Sequence, residues 1–300
     1  MASIFYWLVN MSLLASVTGT VVWLVSRCKR IPRRFAGVLW AVPFVRMWLP
    51  FGLAGKYSAV ALLMQLRGVS VPWPVHHAFA WSNFVMAADR YFPLHFVAPQ
   101  AHTLFTVAGT VWLAVALALV LTVSVVYFTT KAAVKDAQHL QDEVYLSDKV
   151  SAPAVYGVFR PRIVLPRQYP PQQLHCILLH ERAHIKRRDN LRRLLAVYTA
   201  CLHWFNPLAW LFLSAYLKDL ELACDEAALR CSDAAERKEY AKTLLQCAAA
   251  PSLYMSAFGG VKVRVRIERI LAYKKLSALA AVASAAFVAA MLYLLLTNAR

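Results

Sequence analysis

Charge is what this sequence has least of: 16% of its 300 residues are Asp, Glu, Lys or Arg, against 60% hydrophobic residues. Mean hydropathy is +0.50, a balance that excludes an ordinary soluble domain and puts membrane spans first. Acidic residues are the scarcer sign, 15 against 33 basic ones. The net charge of +18 does not point to direct nucleic-acid binding. No arginine-rich helix alternates with aromatics in a polar setting, and the basic residues stand beside apolar stretches, where anionic lipid and the positive-inside rule account for them. Cys-x-x-Cys pairs are absent as well. The six cysteines, at 28, 176, 201, 224, 231 and 247, fit reduced, small apolar residues and not a disulfide framework. The first residues lack the charged start and small-residue cleavage site of a removed signal peptide. Neither a short-period repeat nor a low-complexity tract interrupts the chain.

What is there is a set of apolar stretches. A span needs about 20 apolar residues, and four are expected, at about 4–25, 35–53, 102–128 and 276–296. The second is interrupted by Pro43, Arg46 and Pro50. Arg27, Lys29, Arg30, Arg33 and Arg34 between the first two place that loop in the cytoplasm. The chain then reads as starting outside. Residues 55–100, with Trp73, Trp81, Tyr91 and Phe92, form an outer, interfacial loop, and Lys274 and Lys275 hold the inner end of the last span. The expected division is a membrane region 1–128, a cytoplasmic domain 129–275 and a final span with a short outer tail, 276–300. The middle segment holds 23 Lys+Arg against 14 Asp+Glu, a net +9, and is the one stretch polar enough to fold in water.

That segment contains His180-Glu-Arg-Ala-His184. On a helix, positions four apart share a face, so His180 and His184 can each turn a ring nitrogen to one ion. Neutral imidazole suits Zn²⁺, and two histidines leave room for a third ligand and a water. Glu181 projects beside them and can take a proton from that water, whose pKa a metal lowers. The bland alternative is a charged helix face with two incidental histidines. A third ligand weighs against it, and Glu221-Leu-Ala-Cys-Asp225 offers two carboxylates on one helical face. One can complete the metal shell while the other hydrogen-bonds a ligand histidine. Between the two motifs, 191–217 is apolar enough for a further span, which would put Glu221 on the wrong side. Asn206-Pro207 divides it into pieces too short to cross, so a membrane-dipping helical hairpin is expected, with His203 near its tip as a structural residue. Upstream, 144–150 and 154–166 read as strands bounded by Pro and Gly. Pro161 suits an edge strand, and Phe159, Arg160, Pro161 and Arg162 are candidates for an edge to which an extended peptide adds as a further strand.

Taken together, Tyr156-Gly-Val-Phe-Arg-Pro-Arg-Ile-Val-Leu-Pro166, His180-Glu-Arg-Ala-His-Ile-Lys-Arg-Arg-Asp189, His203-Trp-Phe-Asn-Pro-Leu-Ala-Trp210 and Glu221-Leu-Ala-Cys-Asp-Glu226 resemble the BlaR/MecR antirepressor metalloproteases, the β-lactam-sensing membrane peptidases of bacteria. The resemblance implies a mainly α, polytopic protein of the bacterial cell membrane, with a gluzincin-like α+β zinc domain on the cytoplasmic side between the third and fourth spans. It implies His180, His184 and Glu221 as Zn²⁺ ligands, Glu181 as catalytic base and Asp225 as a partner behind the ligands. It further implies self-cleavage before the last span, here around 251–261 with Ser256, Ala257 and Phe258 as candidates, and a cytoplasmic DNA-binding repressor as substrate. The sensors of that family carry an extracellular penicillin-binding domain after the last span, which is expected to be lacking here. No Ser-x-x-Lys motif stands in a suitable outer position, so β-lactam acylation is not carried over. A homodimer and a separate sensor protein stay open as partners beside the lipid bilayer. A membrane quality-control protease of the HtpX/Ste24 type and a non-enzymatic signalling scaffold are the competing readings.

Overall fold

The 25 residues from Ala2 to Ser26 carry no charge and form one helix, α1 (Ala2–Ser26). The computed structural model describes residues 1–28, 31–49, 53–54, 99–167, 171–230, 232–247, 263–273 and 277–298. All but the last two residues of the 55–100 loop, and the candidate cleavage residues Ser256, Ala257 and Phe258, lie outside that description.

The stretch expected as a single second span is two short helices, α2 (Arg33–Leu39) and α3 (Ala41–Trp48). Pro43 explains the division. It lacks an N–H and is tolerated in the first turn of a helix, where α3 places it, but not in the interior of a longer one. Among the described residues three helices are long and apolar enough to cross a membrane: Ile4–Ser26, Thr103–Ala133 and Ala278–Leu296. They lie in α1, α4 (Pro99–Ala133) and α10 (Ala278–Leu296). The chain after α3 returns to the level where α10 ends. There β1 (Leu53–Ala54) pairs in parallel with β6 (Thr297–Asn298), and the buried Arg46 donates to the carbonyls of Leu295 and Thr297 at 3.0–3.2 Å.

The hairpin expected at 191–217 is formed by α6 (Asp189–Leu202) and α7 (Pro207–Ala228). Asn206 caps α7 by accepting from the Leu208 N–H at 3.0 Å, with Pro207 at the first helical position, where its fixed φ costs nothing. The tip is packed on α1. His203 Nδ1 lies 2.6 Å from Ser12 Oγ, Asn206 Nδ2 donates to Ser16 Oγ at 2.9 Å, and Trp112 Nε1 donates to the Leu202 carbonyl at 2.7 Å. His203 is therefore a buried residue with a partner. Val22, Leu39, Trp40, Phe212 and Val288 share one apolar cluster, so the hairpin, α1, α2 and α10 have a common core. Its tightest point is Gly19 of α1, where an added Cβ would fall on the ring of the fully buried Phe212. Gly19→Ala is expected to destabilise the protein by about 1–3 kcal/mol, read as a lower thermal midpoint in detergent.

Four strands precede the site: β2 (Gln138–Gln141), β3 (Val144–Ser147), β4 (Ala154–Tyr156) and β5 (Arg162–Pro166), in the order β2-β3-β5-β4. β3 and β5 are parallel and the other pairs antiparallel. The substrate edge expected at Phe159–Arg162 is corrected by this order. Phe159, Arg160 and Pro161 form the β4–β5 connection, with Phe159 90% exposed, and Arg162 opens β5, an interior strand. Pro161 sits just before that strand, so its missing N–H removes no ladder bond. The edge is β4. Ile163 gives its N–H to the Glu143 carbonyl at 2.8 Å, so Val155 opposite it turns its own backbone groups away from β5. Asn190 of α6 meets them there, donating to the Val155 and Gly157 carbonyls at 2.9 and 3.0 Å.

Candidate metal centre

Helix α5 (Pro171–Arg187) carries the His-Glu-x-x-His pattern. Leu174, Ile177, Leu178 and Ile185 pack on Val144, Ile163 and Leu165 of the sheet, which fixes the rotation of the helix. His180 and His184 are then turned together toward α7. Their rings meet edge to face, with Nε2 atoms 3.1 Å apart. Glu221 of α7 approaches the same pair, Oε2 at 3.6 Å from His180 Nε2 and Oε1 at 3.7 Å from His184 Nε2. His180, Glu181 and His184 are 6–9% exposed. Glu181 lies one residue round the helix and is near enough to Arg193 and Tyr240 to act on both electrostatically.

The far nitrogen of each imidazole is held by a buried carboxylate. His184 Nδ1 lies 3.0 Å from Asp189 Oδ2, and His180 Nδ1 lies 3.2 Å from Asp225 Oδ1. Tyr240 of α8 (Ala234–Cys247) donates to Asp225 Oδ1 at 2.9 Å and sits 3.0 Å from His180 Nδ1. Arg266 of α9 (Val263–Leu271) donates to both Asp225 oxygens, at 2.7 and 2.8 Å. Glu221 is flanked by Arg193, hydrogen-bonded to Oε1, and by Arg266, 3.9 Å from Oε2. Cys224 Sγ donates to Asp189 Oδ2 at 3.0 Å.

Charge follows from these contacts. Burial alone would lower the His180 imidazolium, but the bonds to Asp225 and Glu221 outweigh it and push it up to about 9. Burial works to raise Asp225, Glu221 and Asp189, and each is nevertheless held below the usual carboxylate range: Asp225 chiefly by Arg266, Glu221 by Arg193, and Asp189 by its bond to His184.

Two carboxylate-held imidazoles thus aim their Nε2 atoms at one point. The proton that the raised His180 holds on Nε2 faces His184 Nε2 at 3.1 Å and the Glu221 carboxylate, and a metal cation bound at that point would take its place. Ligands about 2.0–2.1 Å from a tetrahedral Zn²⁺ stand roughly 3.3 Å apart, and the separations of 3.1, 3.6 and 3.7 Å suit such an ion. His180, His184 and Glu221 form one of the groups of the described residues able to hold a metal ion. His184, Asp189 and Cys224 form another, but its carboxylate and thiol are already bonded to each other.

Residues 6–270 match the family described as BlaR1 peptidase M56. The chain belongs to that family. The regulatory protein BlaR1 of Bacillus licheniformis is 32% identical over 103 residues, 33% of this chain and 17% of its own length. The methicillin resistance mecR1 proteins of Staphylococcus aureus and Staphylococcus epidermidis are each 27% identical over 114 residues, 37% of this chain and 20% of theirs. The matched stretches thus cover a fifth or less of these relatives. Peptidase is the family's own description, and the three apolar helices mark this M56 member as a membrane protein.

The structure brings His180, Glu181, His184, Glu221 and Asp225 together and leaves Phe159–Arg162 outside the cluster. Asp189, Arg193, Tyr240 and Arg266 are the residues that sequence reasoning did not assign. Asp189 stood inside a quoted motif, and its acidic side chain among Lys186, Arg187 and Arg188 was the available signal. Asp189→Ala in this M56 chain is expected to weaken metal binding at the cluster about 10–100-fold, measurable by competition with a chromophoric chelator.

Proposed function

We propose that this chain is a membrane-embedded zinc metalloendopeptidase that acts in transmembrane signalling, cutting itself, a cytoplasmic DNA-binding repressor, or both. The observation that carries this reading is the convergence of His180, His184 and Glu221 on one point, with Asp189 and Asp225 holding the far nitrogens of the two imidazoles. His180, His184 and Glu221 would hold the zinc. Bound there, the ion supplies Lewis acidity and a water of lowered pKa. Glu181 would be the base of the reaction, taking a proton from the attacking water and returning it to the leaving amine. Asp225 and Asp189 keep each Nδ1 protonated and each ring oriented, while burial keeps competing water from the cluster. The outer side of β4 beside α5, where Asn190 bonds the Val155 and Gly157 carbonyls, is where an extended peptide would add as a further strand. A peptide strand there would displace Asn190 from its two carbonyls.

The membrane arrangement belongs to the same proposal. α1, α4 and α10 span the bacterial cell membrane. The pair α2–α3 serves as the fourth, return crossing, in keeping with the β1–β6 pairing at one level. The basic 27–34 loop would then mark the cytoplasmic side, and the bonds of Arg33 to Ser26 and to Asp219 of α7 support a cluster at that same level. The domain at 129–275 is cytoplasmic, its hairpin dipping into the bilayer. Signalling, as opposed to quality control, is favoured because the relatives' names are those of a regulatory protein and of methicillin resistance proteins.

Intact-mass analysis of the purified chain, with labelling of new protein N-termini in the expressing cells, tests the substrate assignment. The active chain should show a cut within 251–261, and a DNA-binding protein should acquire a new N-terminus. Neither should occur with Glu181→Gln. Identical masses and identical termini in the two samples would contradict the assignment.

A further inference from the structure

Arg33 enters the sequence as one of five basic residues placed by the inner membrane surface. The structure buries it. Its side chain is 6% exposed, and Nη1 donates to Asp219 Oδ1 at 2.7 Å and to the Ser26 carbonyl at the end of α1. Trp40 Nε1 donates to the other Asp219 oxygen at 2.8 Å. Seven residues along α7, Glu226 accepts from the backbone N–H groups of Arg33 and Arg34 at 3.0 and 3.3 Å. α2 begins after Pro32 without a side-chain cap of its own, so Glu226 supplies the acceptors that those N–H groups need.

Helix geometry gives these contacts their meaning. At about 100° per residue, Asp219 and Glu226 lie within about 20° of each other on α7, whereas Glu221 and Asp225 lie roughly 120–160° round to the other side. α7 is therefore gripped on one face by α1 and α2 and presents its two site carboxylates on the other. The histidines are on another element, α5, whose rotation the sheet fixes and which faces α7 with its His180 side. The distance from Glu221 to His180 and His184 is thus set by how α7 is held.

A buried ion pair is a poor way to add stability, since apolar replacements often do as well. Its best-attested use is to fix register. We propose that Arg33 and Asp219 are positioning residues for the metal centre, fixing the height and rotation of α7 so that Glu221 meets the two histidines. The inference rests on the zinc reading of the site given above.

The test uses the full chain in detergent and three probes: zinc affinity by chelator competition, the visible spectrum of the Co²⁺-loaded protein, and the first-order rate of self-cleavage. Arg33→Leu/Asp219→Leu removes both charges at once, and Arg33→Lys keeps the charge without the planar fork. The double variant is expected to keep a wild-type thermal midpoint, bind zinc about tenfold more weakly, change the Co²⁺ bands and cleave more slowly. Arg33→Lys should recover part of each. A folded double variant with wild-type zinc affinity and Co²⁺ spectrum overturns the inference while the zinc site stands. If the double variant does not fold, Arg33→Lys decides: weakened zinc binding supports the inference and wild-type binding overturns it. A wild-type chain that binds no zinc overturns the reading of the site, and this inference with it.

Discussion

Glu181→Gln is expected to slow peptide cleavage by about 10²–10⁴-fold while bound zinc stays in place. The amide keeps the shape of the side chain and its place one residue round α5, so the sheet contacts of Leu174, Ile177, Leu178 and Ile185 are untouched. His180 and His184 keep their carboxylates, because Asp225 and Asp189 are on other segments. What the amide cannot do is accept a proton. Loss of rate with retained metal therefore separates a base from a ligand. The comparison is between self-cleavage rates and zinc contents of the two purified chains. Cleavage at the wild-type rate in the variant would remove Glu181 from the mechanism.

The second large effect is expected at Asp225. This carboxylate is 3% exposed and receives two bonds from Arg266 and one from Tyr240, while sitting 3.2 Å from His180 Nδ1. Asp225→Ala leaves the Arg266 guanidinium, 7% exposed, as a buried charge stripped of its bidentate partner. Stranding a buried charge costs about 3–5 kcal/mol. The same change frees the His180 ring to rotate or take the wrong tautomer, for a further 10–100-fold or so in zinc affinity. The two losses can be told apart. Asp225→Leu/Arg266→Leu removes both charges and should regain much of the stability but not the affinity. Denaturant midpoints in detergent and chelator competition give the two readouts. An Asp225→Ala chain with wild-type midpoint and affinity would show that the network behind His180 is idle.

What the sequence disclosed about this site was what lies within one helix. His180 and His184, and likewise Glu221 and Asp225, are four residues apart, and the 3.6-residue period alone puts each pair on one face. The hairpin was legible for a similarly local reason, since Asn206 and Pro207 are start signals whose action does not depend on the rest of the fold. Tyr240 and Arg266 were not legible. They lie 60 and 86 residues from His180, on helices whose own patterns give no reason to point a phenol or a guanidinium inward. The ion pair of Arg33 was not legible either: a basic residue beside an apolar span has a sufficient explanation in lipid, and only the fold reveals Asp219 behind it. The strand order could not be read either. Pro161 was compatible with an edge strand, yet a proline just before a strand removes no ladder bond, so the residue does not distinguish the two places. The division of the second stretch into two helices was not legible, because apolar composition sets what a segment can cross, whereas Pro43 sets where a helix must begin again.

The central claim is that His180, His184 and Glu221 hold one zinc ion, and metal analysis of the purified full chain beside His184→Ala tests it most directly. The account expects about one zinc per wild-type chain at neutral pH and a near-complete loss in a variant that still folds. A wild-type chain that carries no zinc, or a folded His184→Ala chain that carries as much as wild type, would contradict it and leave a membrane scaffold as the better description.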